Sequence, residues 1–139
     1  MMTVSDWAIR QTSRRMTMTM NDEQTTVIEL RTLMADFVAA RDWHRFHDPK
    51  NLAASIAIEA AELMEHFQWL RSDELSTVRE NTDAMQAIGE EVADVLAYLL
   101  SFANAMQIDL SAALAAKMKK NERKYPADAC RGTFRPRGA

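Results

Sequence analysis

The stretch Ser55–Leu70, SIAIEAAELMEHFQWL, has the residue spacing of a helix and contains neither Gly nor Pro. At about 100° per residue, four polar side chains fall within a stripe only about 60° wide: Ser55, Glu59, Glu62 and His66. Apolar residues cover most of the remaining circumference, which is the reverse of a solvent-exposed amphipathic helix. We therefore expect the polar stripe to face an interior cleft of a helical bundle.

A second acidic pair lies in the segment 88–102, IGEEVADVLAYLLSF, where Glu91 and Asp94 are three residues apart. Leu and Val side chains cover a broad face of this predicted helix, and Ser101 and Asn104 lie on its polar side. If the two helices pack as neighbours, their acidic pairs converge.

Converging carboxylates have to be neutralised. Two unit charges about 4 Å apart repel by roughly 4 kcal/mol at an effective dielectric constant near 20, and a whole domain is stable by only about 5–15 kcal/mol. Either some of the acids are protonated or a cation binds. Oxygen ligands without a Cys or a His pair suit Mg²⁺, or Mn²⁺, rather than Zn²⁺. The alternative interpretation is a solvated, salt-bridged helix face, which is what a single ExxE pattern usually means.

The composition narrows the class of protein. The 139 residues are enough for one domain with a single core, and only three Gly and three Pro favour long helices over a turn-rich β fold. A net charge of −3 argues against a nucleic-acid partner. There is no run of about eighteen apolar residues, which argues against a membrane span. The single cysteine, Cys130, excludes an intrachain disulfide and fits a cytoplasmic protein.

The helical spacing predicts an all-α fold, a four-helix bundle. The predicted helices cover Gln24–Trp43, Asn51–Leu70, Ala84–Gln107 and a segment from Asp109 or Ser111 to Pro126. Asn51 is the expected N-cap of the second helix because Pro49 interrupts the chain before it. The polar connection 71–83 has room for one short helix.

The predicted helical domain spans residues 24–127, between a disordered leader at 1–23 and a flexible basic tail at 128–139. The first twenty residues hold three Arg and one acid, which faintly resembles an organelle-targeting leader. The alternative interpretations are a disordered tail and a translation start at Met20.

Four segments carry a family resemblance: FHDPKNL at 46–52, EAAELMEHFQW at 59–69, EEVADVLAYLL at 90–100 and KMKKNERKYP at 117–126. In their order and approximate spacing, the chain resembles the all-α nucleotide pyrophosphohydrolases of the MazG-like superfamily, and most of all the dCTP pyrophosphatase branch. The resemblance covers residues 26–126. It implies a helical bundle that oligomerises, commonly as a homotetramer built from dimers. It also implies Mg²⁺-dependent hydrolysis of a nucleoside triphosphate between its α- and β-phosphates.

By the same resemblance, four acids match the metal ligands of the family: Glu59, Glu62, Glu91 and Asp94. Two nearby acids, Glu65 and Glu90, match positions that hold a second ion or orient water. We accordingly predict three catalytic residues: Glu62, Glu65 and Asp94.

The resemblance also implies contacts with the nucleoside. Trp43, Phe46 and His47 match a segment that contacts the base or sugar, and Trp69 matches an aromatic residue that stacks on the base. The alternative interpretation for both tryptophans is a purely structural role, as a core anchor at a helix end. Met34 departs from the pattern, because the vertebrate relative has His at that position, near the base. This departure bears on the preference for cytosine.

Polar positions near the nucleotide are matched on the last helix by Lys117, Asn121 and Tyr125, with Lys117 as the phosphate partner. Asp94 is predicted to contact substrate as well as metal. The alternative for the basic run on the last helix is an ordinary solvated face.

Taken together, the residues and the resemblance predict a cytoplasmic enzyme that hydrolyses dCTP or a modified pyrimidine relative and so cleanses the nucleotide pool. Other substrates of the same chemistry are dUTP, a purine nucleoside triphosphate and phosphoribosyl-ATP. The alternative of a different class is a non-catalytic helical dimerisation module. We expect a homo-oligomer, either a dimer or a tetramer, with no nucleic-acid or membrane partner.

Overall fold

The computed structural model describes residues 20–133, and within that range the chain is built from helices and turns alone. The helices are α1 (Val27–Ala40), α2 (Pro49–Glu65), α3 (Leu75–Val78), α4 (Thr82–Ala105), α5 (Leu110–Lys124) and α6 (Ala127–Cys130), with a 3₁₀ turn at His44–Phe46 between α1 and α2. Four of these helices are long, so the predicted all-α fold is confirmed. Most of the predicted leader and the last six residues of the predicted tail lie outside the described range, and the domain boundaries stay predictions.

Helix α1 begins just after Thr26, which forms a capping box with Glu29. The hydroxyl of Thr26 accepts a hydrogen bond from the Glu29 N–H at 3.4 Å, and the Glu29 carboxylate accepts one from the Thr26 N–H at 2.8 Å. The helix ends at Ala40, and Asp42 adopts a φ of 50°, a left-handed conformation that ends a helix. The predicted span of Gln24–Trp43 is therefore too long at both ends.

Helix α2 is capped by Asp48, so the predicted cap Asn51 is wrong. Pro49 occupies the first turn, where its missing N–H costs no hydrogen bond. The Asp48 carboxylate accepts from the backbone N–H of Asn51 at 3.0 Å and from its side-chain amide at 2.6 Å. Asn51 thus donates to the cap instead of serving as one. The helix also ends earlier than predicted, at Glu65, after which residues 66–69 form turns.

Helix α4 is capped by Asn81, whose side-chain oxygen accepts from the Ala84 N–H at 3.0 Å. The helix therefore begins two residues before the predicted Ala84. It ends at Ala105, before Gln107 takes a φ of 55°. The polar connection before it contains the short helix α3, as expected.

Helix α5 is capped by Asp109 rather than by the other candidate, Ser111. The Asp109 carboxylate accepts from the Ala112 N–H at 2.9 Å. The helix ends at Lys124, two residues before Pro126.

Helix α4 is the centre of the packing, because α2 packs along it and α1 packs against it. Buried apolar side chains come from all three helices: Val38, Leu52, Ile88, Leu100 and Ala103. Arg31 on α1 also donates to the side-chain oxygen of Asn104 on α4 at 2.9 Å, and the Asn104 amide donates to the Arg31 carbonyl at 2.9 Å. This pair of hydrogen bonds fixes α1 on the C-terminal half of α4.

The chain divides into two compact units, one that ends at Met106 and one that begins at Gln107. The first unit contains α1 to α4, and the second contains α5 and α6. Within residues 20–133, no single helix has the length and apolar composition of a membrane span. The pair α4 and α5 meets these two criteria only if it is treated as one broken span. The cytoplasmic localisation stays a prediction.

The cap of α2 can be tested by replacing Asp48 with Ala. We expect the free energy of unfolding to fall by about 1 kcal/mol, because the first turn of α2 loses its side-chain acceptor. Urea denaturation followed by circular dichroism measures this change. Asp22→Ala, an exposed aspartate before α1, is the control, and equal losses for the two variants would contradict the assignment.

Candidate functional site

The packing of α2 along α4 brings three carboxylates together. One oxygen each from Glu59, Glu62 and Glu91 can be chosen so that all three lie within 4.8 Å of one another. Glu59 and Glu91 are half-buried, whereas Glu62 is exposed. Glu59 and Glu62 share one face of α2 because residues three apart are neighbours on a helix. We call Glu59, Glu62 and Glu91 the carboxylate cluster.

Asp94 is not one of the three clustered carboxylates, but it acts on them electrostatically. It follows Glu91 by three residues on α4, and its negative charge contributes to the raised pKa of Glu59. Of the four predicted metal ligands, the structure therefore groups three closely and places the fourth within electrostatic range.

Glu59 carries the clearest sign of mutual repulsion. Burial raises the pKa of its carboxyl above the ordinary value of 4.5, and the charges of Glu62, Asp94 and Glu91 raise it further. A group in this environment gains from binding either a proton or a cation. Because the clustered donors are all carboxylate oxygens, they fit a hard divalent cation better than a soft one. The carboxylate cluster could therefore hold a metal ion.

The remaining predicted acids lie beside the cluster without belonging to it. Glu65 is the last residue of α2 and is exposed. The side chain of Glu90 is exposed and accepts from the Gln86 amide at 3.1 Å. His66, which shares the polar stripe in the sequence, is half-buried at the C-cap of α2.

A group of aromatic side chains is ordered around the turn between α1 and α2. The rings of Trp43 and His47 stack at 6.3 Å with an interplanar angle of 20°, and Phe37 meets Trp43 edge-on at 5.9 Å. The Arg41 guanidinium lies 3.6 Å above the Phe37 ring and 5.8 Å from that of Trp43. Trp43 nevertheless remains 41% exposed, so it is not a core anchor. Phe46, in the same turn, is exposed as well.

A cavity of about 190 Å³ opens where α1, the 3₁₀ turn and the C-terminal half of α4 meet. Its lining is Met34, Ala35, Val38, His44, His47, Ser101, Asn104 and Ala105. Of the predicted nucleoside contacts, only His47 lines this cavity, together with Met34, the position that departs from the family pattern. Ser101 and Asn104 were not predicted as site residues, and their place on the polar side of an otherwise apolar helix is the signal that could have found them.

The remaining predicted substrate contacts are Trp69, Lys117, Asn121 and Tyr125. Trp69 follows α2 in a turn and is 85% exposed, so it too is not a core anchor. In the second unit, Lys117 and Asn121 are one turn apart on α5, and Tyr125 is its C-cap. The Lys124 ammonium lies 5.1 Å from the ring centre of Tyr125.

Comparisons with known proteins agree on one family. The sequence profile of the MazG-like family matches residues 54–133. The dCTP pyrophosphatase 1 of Bos taurus is 38% identical over 119 residues, which are 82% of this chain and 70% of the relative. That of Homo sapiens is 39% identical over 110 residues, or 79% of this chain and 65% of the relative. The crystal structure of a pyrophosphatase from Archaeoglobus fulgidus DSM 4304 is similar with a TM-score of 0.68 and 44% identity, covering 78% of this chain and 99% of that one.

The repulsion at Glu59 predicts a pH dependence of stability in the absence of metal. The raised pKa means that the folded state holds the proton of Glu59 more tightly than the unfolded state, where the pKa is the ordinary 4.5. By linkage, the contribution of Glu59 to stability falls as the pH rises from 4.5 through the raised pKa. Glu59→Gln removes this contribution, so the Tm of the variant minus that of the wild type should increase over the same interval.

Calorimetry in the presence of a chelator measures this difference in Tm. Glu80→Gln is the control, because Glu80 is an exposed acid before α4. If the two variants gave the same pH profile, the raised pKa of Glu59 would be disproved.

Proposed function

The chain belongs to the MazG-like family, and from this we propose that it hydrolyses a nucleoside triphosphate to the monophosphate and pyrophosphate. The proposed substrate is dCTP or a modified pyrimidine relative, which would make the protein an enzyme that cleanses the cytoplasmic nucleotide pool. The observation that carries the proposal is the carboxylate cluster on α2 and α4, within the region that matches the family.

The proposed cofactor is Mg²⁺, with Mn²⁺ as a substitute, and the donor chemistry supports it. Glu59, Glu62 and Glu91 would hold the ion with Asp94 beside them. Binding would offset both the burial and the neighbouring charges that raise the pKa of Glu59. When bound, Mg²⁺ neutralises phosphate charge that the acids alone would repel.

The acids of the cluster also supply the proposed proton acceptor. Water attacks the α-phosphorus in line, the bond to the bridging oxygen breaks, and pyrophosphate leaves. A carboxylate accepts the proton of the water. Glu62 is the leading candidate because it is the exposed member of the cluster, and Glu65 and Asp94 are the others.

The nucleoside end of the substrate is proposed to contact the aromatic residues. Trp43 and Trp69 are the proposed stacking partners of the base, because both are exposed although they are large apolar side chains. One face of Trp43 already stacks on His47. Phe46 and His47, next to Trp43 in the chain, are the further residues proposed to contact the base or the sugar. For the phosphates, Lys117 is the proposed partner, with Asn121 and Tyr125 as further polar contacts on α5.

Turnover of a nucleotide panel tests the proposed function. Wild-type protein with Mg²⁺ should release pyrophosphate from dCTP or a modified pyrimidine nucleotide. Glu62→Gln and Asp94→Asn should each lower kcat by about 100-fold or more, as expected when a general base or the charge that orients it is removed. Glu80→Gln, an exposed acid outside the cluster, should retain full turnover.

The outcomes separate the alternatives. Release of pyrophosphate from dUTP, a purine nucleotide or phosphoribosyl-ATP instead of dCTP would support the proposed reaction and contradict the proposed substrate. No pyrophosphate from any of these nucleotides would favour a non-catalytic helical module. Full turnover in both Glu62→Gln and Asp94→Asn would exclude the proposed site.

A homo-oligomer, either a dimer or a tetramer, is part of the proposal. Three apolar residues at helical spacing form one stripe on α4 and are each more than a third exposed: Val92, Leu96 and Leu99. A second copy of the chain would remove this stripe from water.

Sedimentation velocity should therefore give a mass above the 15.8 kDa of one chain. Leu96→Glu should shift the protein toward the monomer, because the new charge would be buried without a partner. Leu75→Glu, at an equally exposed apolar position on α3, is the control. A wild-type protein that sediments as a monomer would contradict the proposal.

A further inference from the structure

Ser101 on α4 is a buried hydroxyl without a hydrogen-bond partner. The residue is only 6% exposed, and among residues 20–133 its Oγ is the sole buried side-chain polar atom that makes no hydrogen bond. Burying a hydroxyl without a partner is unfavourable. A group of this kind in a native structure therefore calls for a specific explanation.

The hydroxyl belongs to the wall of the cavity between α1 and α4. Met34, Ala35, Val38 and Ala105 make much of that wall apolar. Asn104 is polar, but its amide is engaged on both sides by Arg31, through its oxygen at 2.9 Å and its nitrogen at 2.9 Å. Ser101 is thus a polar group in the wall whose hydrogen-bonding capacity the protein leaves unused.

His47 supplies a second polar atom with a defined role. Its Nδ1 lies 3.0 Å from the carbonyl oxygen of Trp43. Because a carbonyl can only accept, Nδ1 carries the hydrogen, and in the neutral ring Nε2 is left as an acceptor. Stacking on Trp43 holds the ring in place. The cavity therefore combines apolar walls with four polar side chains: His44, His47, Ser101 and Asn104. Among them, the hydroxyl of Ser101 can both donate and accept.

The size of the cavity selects a class of ligand. An apolar cavity of roughly 150 Å³ accepts a benzene ring, whereas pockets that enclose whole drug-sized ligands measure about 300–1,000 Å³. At about 190 Å³, this cavity suits a single six-membered ring with small substituents and is too small for a complete nucleotide.

The position of the cavity relates it to the acids on the same helix. Ser101 follows Asp94 by seven residues on α4. Seven residues of α-helix rotate by nearly two full turns and rise by about 10 Å, so the two positions lie on nearly the same face. A ligand whose phosphates lie at the acids could thus extend along this face and place its ring at Ser101.

We infer that Ser101 determines base specificity: its hydroxyl hydrogen-bonds to the polar edge of a pyrimidine base inserted between α1 and α4, with His47 as the second polar contact. This inference rests on the proposed function and adds to it a residue that reads the base. The volume of about 190 Å³ favours a one-ring base over a two-ring purine. The base would supply the hydrogen-bond partner that the Ser101 hydroxyl lacks.

Ser101→Ala tests the inference, because it should weaken substrate binding without lowering the stability of the free protein. For the preferred pyrimidine nucleotide, KM should rise about five- to tenfold with little change in kcat, as expected when one neutral hydrogen bond is lost from bound substrate. Turnover of any purine nucleotide should not change. The Tm of the free protein should stay the same or rise, because an unpartnered buried hydroxyl has been removed.

Ser101→Cys provides a check for cavity creation, since the thiol nearly preserves the volume of the side chain and is only a weak donor. It should show the same rise in KM. Ser72→Ala, at an exposed serine after α2, is the matched control and should leave KM unchanged.

The outcomes distinguish this inference from the proposed function. An active wild type whose KM is the same in Ser101→Ala would overturn the inference and leave the function intact, as expected if only water occupies the cavity. If the wild type released no pyrophosphate, the proposed function would be wrong. The inference would then be tested alone, by the rise in Tm that deoxycytidine monophosphate causes in the wild type and in Ser101→Ala. A smaller rise in Ser101→Ala than in the wild type would support it, and an equal rise, or none in either protein, would overturn it.

Discussion

The rest of the site depends on the contact between α2 and α4. These helices are apolar over most of their surfaces, so hydrophobic burial drives them together. The same contact brings the carboxylates of Glu59, Glu62 and Glu91 within 4.8 Å of one another. The packing therefore partly buries Glu59 beside other negative charges, and the pKa of Glu59 is raised as a direct result. A cation would resolve this conflict without any change of fold, so the cluster could hold a metal ion.

The turn between α1 and α2 carries the residues proposed to contact the nucleoside, and it is ordered by local chemistry. Asp48 caps α2 while Pro49 occupies its first turn, so the start of α2 is well defined. The preceding residues are then held by stacking of Trp43 on His47 and by the hydrogen bond between them. The result is an aromatic surface that remains partly exposed although it is ordered. Exposed and ordered aromatic rings are suited to binding flat ligands.

The unpartnered hydroxyl of Ser101 and the repulsion at Glu59 have the same physical character. Each is unfavourable in the isolated protein and would become favourable once a ligand of the right chemistry binds: a cation at the acids and a polar ring edge at the hydroxyl. Binding sites commonly break the rule that local and global preferences agree, at a cost in stability. Ser101 lies on α4 and Glu59 on α2, which packs along α4. The rest of α4 follows the rule, with apolar residues such as Ile88 and Leu100 buried.

Helical periodicity alone predicted the all-α fold, the polar stripe of α2 and the acidic pair of α4, because the geometry of one helix determines which of its side chains share a face. It placed several helix ends wrongly. Asp48 rather than Asn51 caps α2, since competing caps differ only in hydrogen bonds that are made once the turn has folded. Nor could it show that Ser101 lacks a partner while Asn104 has one. Those facts depend on distances between atoms of different helices, and only the packing of α1 and α2 on α4 sets those distances.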